Sequence, residues 1–143
     1  MKILICGLGS IGQRHLRNLR EFKKENLEIA AYRSRNLEII ISEKLEAKFG
    51  EKPEEHFNIK SFNSLEESFL WKPDLVFVTN PISLHIKTAI LAAKNKANIF
   101  IEKPLDSSLI GLEELKKLVQ KNNLKAMVGY QMRYHPILFS SQV

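Results

Sequence analysis

The run Lys2-Ile3-Leu4-Ile5-Cys6-Gly7-Leu8-Gly9-Ser10-Ile11-Gly12-Gln13-Arg14-His15 decides how the rest of the chain is read. Four apolar residues, Ile3 to Cys6, lead straight into glycines at 7, 9 and 12, and a polar, amphipathic segment follows. That order describes a buried strand turning sharply into a helix. In a G-x-G-x-x-G turn the first glycine permits the bend, the second lets backbone approach a pyrophosphate, and the third lets the helix pack against the strand. The helix start adds unpaired amides and roughly half a positive charge, a setting for an anion. Three spaced glycines alone are a weak signal. With a strand before them and a helix after, they become a dinucleotide-site hypothesis.

Outward from this turn, a helix is expected over about residues 11–24, with Ile11, Leu16, Leu19 and Phe22 forming much of an inward stripe. Leu27 to Tyr32 reads as a second strand, and Arg33, Ser34 and Arg35 follow its end. This point lies about twenty residues past the glycines, where a site for NAD places an acid on the ribose hydroxyls and a site for NADP places arginine on the 2′-phosphate. No acid occurs between Glu28 and Glu38. NADP(H) is therefore favoured and NAD(H) is the alternative, with Ser34 hydrogen-bonding and Arg33 or Arg35 making a charge-assisted contact. The plainer reading leaves one or both arginines facing solvent.

Leu37, Ile41, Leu45 and Phe49 recur every four residues and predict a second helix that Gly50 ends. Residues 51–58 read as a polar loop, with His56 on the surface, before a short strand from Ile59 to Phe62. Ser64-Leu65-Glu66-Glu67 is a capping-box pattern opening a short helix whose end Trp71 covers. Strand Asp74 to Val78, helix Ile82 to Asn95, strand Asn98 to Ile101, helix Ser108 to Asn122 and strand Lys125 to Gly129 complete the series. Strands alternating with helices at this spacing imply an α/β fold of three layers, a doubly wound parallel sheet of the Rossmann type. Right-handed crossovers put every strand's carboxyl end on one edge. Residues 7–12, 33–35, 79–85, 102–104 and 130–133 should all meet there.

The 143 residues fit one domain with a real core. A hydrophobic share of 44% with 27% charged residues speaks against disorder. No apolar run approaches the roughly 18 residues of a membrane span, and a strand from residue 2 leaves no room for a signal peptide, so a cytoplasmic protein is expected. The single cysteine, Cys6, reads as a small buried hydrophobe. The net charge of +6 is spread over nearly every helical segment, without a DNA-reading helix pair or an aromatic-basic RNA motif. It suits an anionic cofactor or substrate rather than nucleic acid. No histidine or carboxylate spacing suggests a metal site.

GLGSIGQRH in the first turn, TNPISLH after the fourth sheet strand, EKPL after the fifth and GYQMRYHP after the sixth resemble the glucose-fructose oxidoreductase, inositol dehydrogenase and rhizopine-catabolism family of NAD(P)-dependent oxidoreductases. The resemblance covers nearly the whole chain. It implies a Rossmann domain, here residues 1–130, followed by a larger α/β domain that holds most of a sugar or polyol site and usually mediates oligomerisation. Residues 131–143 would then be the start of the link to that domain. By the same resemblance Gly7, Gly9, Ser10, Ile11 and Gly12 face the pyrophosphate. Thr79, Asn80, Pro81 and His85 line the nicotinamide side, and Glu102 contacts the cofactor. Lys103 stands beside the reacting hydroxyl or carbonyl as the catalytic cation, and Tyr130 and Arg133 border the substrate.

A cation at a hydride-transfer centre stabilises a developing alkoxide, so the role assigned to Lys103 also has a physical basis. Its bland alternative is a surface ion pair with Glu102. His15 reads as exposed or as a local hydrogen-bond donor, and His85 as a cap of its own helix. His135 either touches substrate or leads into the next domain. The family's chains continue past Pro136, and the second domain supplies further acid–base groups. This chain is accordingly expected to bind cofactor with little or no turnover, as an excised domain, a truncated product or a free-standing subunit. A non-catalytic nucleotide-sensing or partner-docking module is the competing reading.

Overall fold

The computed structural model describes residues 1–22, 26–35 and 37–131. Its centre is a six-stranded, wholly parallel sheet. The elements run β1 (Lys2–Cys6), α1 (Ser10–Glu21), β2 (Glu28–Tyr32), β3 (Ile39–Ile41), β4 (Ala47–Phe49), α2 (Pro53–His56), β5 (Lys60–Phe62) and α3 (Leu65–Leu70). After them come β6 (Leu75–Val78), a 3-10 turn (Ile82–Leu84), α4 (His85–Lys94), β7 (Asn98–Glu102), α5 (Leu112–Lys121) and β8 (Ala126–Gly129). The sheet order is β5-β2-β1-β6-β7-β8, so the chain winds one way from β1 and then returns to wind the other way. The reversal falls between β1 and β6, and in open α/β sheets the crevice outside the carboxyl ends at such a switch point is where ligands bind.

A continuous apolar run suits a strand covered on both faces. In β1, Ile3, Leu4, Ile5 and Cys6 are fully buried. Leu4 and Cys6 join the cluster beneath α3, α4 and α5, with Val76, Val78, Ala89 and Ala93. Ile3 and Ile5 point the other way, onto Leu16 of α1 and onto Phe57 and Phe77. Each fully buried aliphatic side chain contributes about 1.5–3 kcal/mol, which makes β1 the anchor of both layers. Burial also pushes the Cys6 thiol up to about 12, so Cys6 is a core residue and not a nucleophile.

Several expectations need correction. The helix expected from Leu37 to Gly50 is instead an antiparallel hairpin, β3 pairing with β4. Ile39-Ile40-Ile41 is a β-branched triplet, stiff at χ1 and better suited to a strand than to a helix. Ser42 N donates to Glu46 O and Leu45 N to Ser42 O, closing a turn in which Leu45 takes a positive φ. The residues spaced by four share no buried face, since Leu45 and Phe49 are exposed. The loop expected over 51–58 contains α2, opened by Pro53 at its first position. In α1 the inward stripe is Gly12, Gln13 and Leu16, and Phe22 is exposed. Helix α5 starts at Leu112, later than expected, because the Asp106 carboxylate accepts from the amides of Ser107 and Ser108 and holds the preceding segment as a turn. The Ser64 cap is present, its hydroxyl accepting from Glu67 N, while the Glu67 carboxylate reaches Asn63 N.

Candidate functional site

The glycine turn is dictated by sterics. Gly7 has φ +110°, and a Cβ there would lie 2.7 Å from Asn80 N. A Cβ on Gly12 would overlap the Gly7 carbonyl oxygen, which is how closely α1 packs on the turn. Gly9 differs from both, because a Cβ there meets nothing within 4 Å. It faces the open groove. Gly9 is also the N-cap of α1 and supplies no side-chain cap, and no acid stands in the first turn. The amides opening α1 therefore have no intrahelical acceptor and are available to an anion. These features fit a dinucleotide pyrophosphate: backbone without side chains where a ligand must come close, and free donors aimed at it.

Of the grooves along the carboxyl edge, two adjoin at the segment after β6. One, of about 430 Å³, takes in Gly7, Gly9, Ser10, Ser34, Arg35 and Pro81, with Leu37, Ile39 and Ile41 of the hairpin as an apolar wall. The other, of about 360 Å³, is lined by Ile11, Arg14, His85, Glu102, Lys103 and Gln131. Thr79 and Asn80 belong to both, so the two form neighbouring halves of one edge. Thr79 Oγ1 donates to Gly7 O at 2.7 Å and its amide to Cys6 O at 3.0 Å, tying the end of β6 to the turn after β1. Asn80 Nδ2 donates to Thr88 Oγ1, and its buried Oδ1 has no partner among the described residues.

His85 does not cap α4 through its side chain. It is buried, with Nδ1 2.9 Å from Pro104 O and Nε2 2.8 Å from Asn80 O. Both ring nitrogens face carbonyls, so His85 brackets the segment after β6 to the segment after β7. Helix α4 gets its cap from elsewhere: Asp106 Oδ2 accepts from Ile86 N at 3.0 Å. Desolvation pushes the Asp106 carboxyl up, but the donors from Ile86, Ser107 and Ser108 outweigh it and hold its pKa below the ordinary value.

Glu102 is 4% exposed and fully engaged. Its Oε1 lies 2.7 Å from His15 Nε2, and its Oε2 accepts from Lys103 N at 3.1 Å. Gln131 Nε2 donates to Oε1 at 3.3 Å. His15 is thus neither exposed nor a local donor. Its partner is 87 residues away, and its ring sits between Phe77 and Phe100 at centroid distances of 5.2 and 5.1 Å. Lys103 is exposed, and among the described residues its ammonium makes no ion pair. Glu102 takes the Lys103 amide instead, which removes the surface ion-pair alternative. Tyr130 is exposed at the end of β8, whereas Arg133 and His135 lie outside the described residues.

Two further groove residues, Arg14 and Gln13, had no signal in the spacing of the sequence. Arg14 brings a second cation to the groove that holds Lys103. Gln13, 1% exposed, donates to Leu8 O and Ile39 O and accepts from Ile41 N, pinning the hairpin to α1. Arg33 is half-buried and its guanidinium is already held, by Leu37 O at 2.8 Å and by Glu54 Oε1 at 2.5 Å. Among the described residues no cluster of histidine, cysteine and carboxylates has the arrangement to hold a metal ion. Nor is any described helix long and apolar enough to cross a membrane.

A family model described as "Oxidoreductase family, NAD-binding Rossmann fold" matches residues 1–130. The chain belongs to this family. Among curated members of the Gfo/Idh/MocA family, it is 28% identical over 136 residues to 4-carboxy-2-hydroxymuconate-6-semialdehyde dehydrogenase of Sphingobium sp., covering 95% of this chain and 40% of the relative. It is 25% identical over 138 residues to scyllo-inositol 2-dehydrogenase (NAD(+)) of Bacillus subtilis, covering 95% of this chain and 37% of the relative. The crystal structure of the dehydrogenase MviM from Clostridium difficile superposes with a TM-score of 0.74 at 27% identity, over 98% of this chain and 42% of that one. The chain therefore spans about two-fifths of the length of the family members it matches.

Proposed function

We propose that this chain is the dinucleotide-binding part of an NAD(P)-dependent oxidoreductase acting on a CH–OH or C=O carbon of a sugar or polyol. The observation that carries the reading is the continuity of the edge. The glycine turn and the Glu102–Lys103 pair open on adjoining grooves joined by Thr79 and Asn80, as the two ends of one dinucleotide require. Bound there, the nicotinamide ring supplies the hydride donor or acceptor. The amides opening α1 hold the pyrophosphate, and the glycines keep side chains out of its way. Lys103, without an ion pair among the described residues, polarises the substrate oxygen and stabilises the charge that develops on it. Glu102, fixed by His15 and by the Lys103 amide, sets where the Lys103 backbone begins. Thr79, Asn80 and Pro81 line the middle of the cofactor, and Tyr130 and Arg133 border the substrate. A second domain completes the pocket, orients the sugar or polyol and mediates assembly. The chain alone then binds cofactor with little or no turnover.

Titration of the intact chain with NADH and NADPH, followed by nicotinamide fluorescence, tests this reading. Binding of either below millimolar concentration supports it, and binding of neither overturns it. Ser34 and Arg35 line the first groove, whose lining residues include no carboxylate, and they support a preference for the 2′-phosphate of NADP(H). Arg35→Ala should weaken NADPH about tenfold, the worth of one charge-assisted contact, and leave NADH nearly unchanged. Equal losses for the two nucleotides would count against that contact.

A further inference from the structure

Arg33 and Glu54 form an ion pair where the segment after β2 meets the first groove. The carboxylate comes from α2, 21 residues downstream. Arg33 lines the groove and Glu54 lies behind it. The side chains are 8% and 16% exposed, so the pair is largely withdrawn from solvent. One guanidinium nitrogen is spent on Leu37 O and another on Glu54. The second Glu54 oxygen is buried and finds no hydrogen-bond partner among the described residues. That carboxylate therefore depends on Arg33 for its only side-chain partner there, and giving the arginine up would leave a buried charge uncompensated.

This bears on the ribose. A 2′-phosphate recruits arginine through a bidentate, charge-assisted contact. Here the arginine nearest the end of β2 has its fork already turned to another anion. The net charge it offers the groove is cancelled by its partner, Glu54, which sits behind it. A ribose 2′-hydroxyl needs neither the freed fork nor the extra positive charge. We infer that Glu54 selects between the two nicotinamide nucleotides: by holding Arg33 it limits affinity for NADPH and keeps NADH competitive, leaving Ser34 and Arg35 as the free contacts to a phosphate. The inference rests on the dinucleotide reading of the edge and adds a specificity residue to it from outside the segment that follows β2.

The test uses the full chain and both reduced nucleotides at one ionic strength, with melting temperature as the check on folding. Glu54→Gln keeps the shape of the side chain and removes its charge. It should tighten NADPH about tenfold and change NADH by less than about twofold. Glu55→Gln removes a neighbouring charge that is exposed and pairs with Lys52, and should leave the ratio of affinities where it was. In the Glu54→Gln background, Arg33→Ala should abolish the gain. Should Glu54→Gln fail to fold, Glu54→Asp, which retains the charge but draws it back from Arg33, carries the same test with a smaller gain. An unchanged NADPH-to-NADH ratio in a folded Glu54 variant, or an equal shift in Glu55→Gln, overturns the assignment while the dinucleotide reading stands. Binding of neither nucleotide to any of the proteins overturns both.

Discussion

The two connections that flank β2 are built by different means. The one before it, from β1 through the glycine turn and α1, is fixed by backbone sterics: Gly7 has no room for a side chain, and Gly12 lies against the Gly7 carbonyl. The one after it, from β2 to β5, is a hairpin and a single helical turn held by side chains that reach in from other elements. Gln13 bonds to Ile39 and Ile41, 26 and 28 residues away, and Arg17 bonds to Ile41, 24 residues away. Glu54 then ties α2 back to Arg33. The first connection carries its own instructions; the second takes its shape from its partners. Both wall the same groove, so the proposed cofactor site is part rigid cradle and part pinned flap.

The largest expected effect comes from breaking the rigid side. Gly7→Ala puts a Cβ 2.7 Å from backbone that cannot yield, at a φ of +110°. It should cost at least about 3 kcal/mol and abolish nucleotide binding with the fold. Gly9→Ala separates the two losses. Its Cβ enters open space at an ordinary φ of −70°, so stability should fall by no more than about 1 kcal/mol while nucleotide binding weakens at least tenfold. Melting curves alongside NADH titration check the pair. If Gly9→Ala binds as tightly as the parent, backbone approach at residue 9 is not how the pyrophosphate is held.

The same contrast explains what was legible in the sequence. The six sheet strands and the glycine turn were readable because buried parallel strands are continuous apolar runs and because glycine spacing records steric need at the residue itself. The edge along which Gly7, Arg33, Thr79 and Glu102 lie followed from alternation alone. The hairpin was hidden by a four-residue spacing of Leu37, Ile41, Leu45 and Phe49 that imitates a helix face. The contrary signal was Ile39-Ile40-Ile41, three β-branched residues in a row. His15 to Glu102, Arg33 to Glu54 and Gln13 to the hairpin were not readable, because a side-chain hydrogen bond across dozens of residues leaves no period or spacing. Those contacts decide how the edge is tuned, whereas the apolar pattern decides only that there is an edge.

On the pinned side, Gln13→Leu is the sharper cut. Leucine nearly preserves the volume of a side chain that is 1% exposed, but it leaves Leu8 O, Ile39 O and Ile41 N without their partner. The cost should be about 2–4 kcal/mol, since each buried group loses its bond and stays desolvated. Hydrogen exchange locates the damage. The Gly50 amide, which donates to Glu38 O across the hairpin, should exchange faster, while amides of β1 and β6 keep their protection in proportion to the global loss. Uniform acceleration across the sheet would mean that the hairpin and the sheet open as one unit.

Arg17→Ala is the milder test of the same pinning, and the smallest effect expected. It removes one bond, Nη1 to Ile41 O at 2.8 Å, from a partly buried carbonyl of the same hairpin. About 1 kcal/mol is the expected loss, and Gln13 still holds both Ile39 and Ile41 in place. NADH affinity should therefore stay within about twofold of the parent, whereas Gln13→Leu loses affinity because Gln13 and the hairpin isoleucines line the groove together. A matching loss of affinity in Arg17→Ala would show that the flap is held cooperatively by both side chains, with neither sufficient alone. Independent effects would show that Gln13 by itself carries the shape of the groove's hairpin wall.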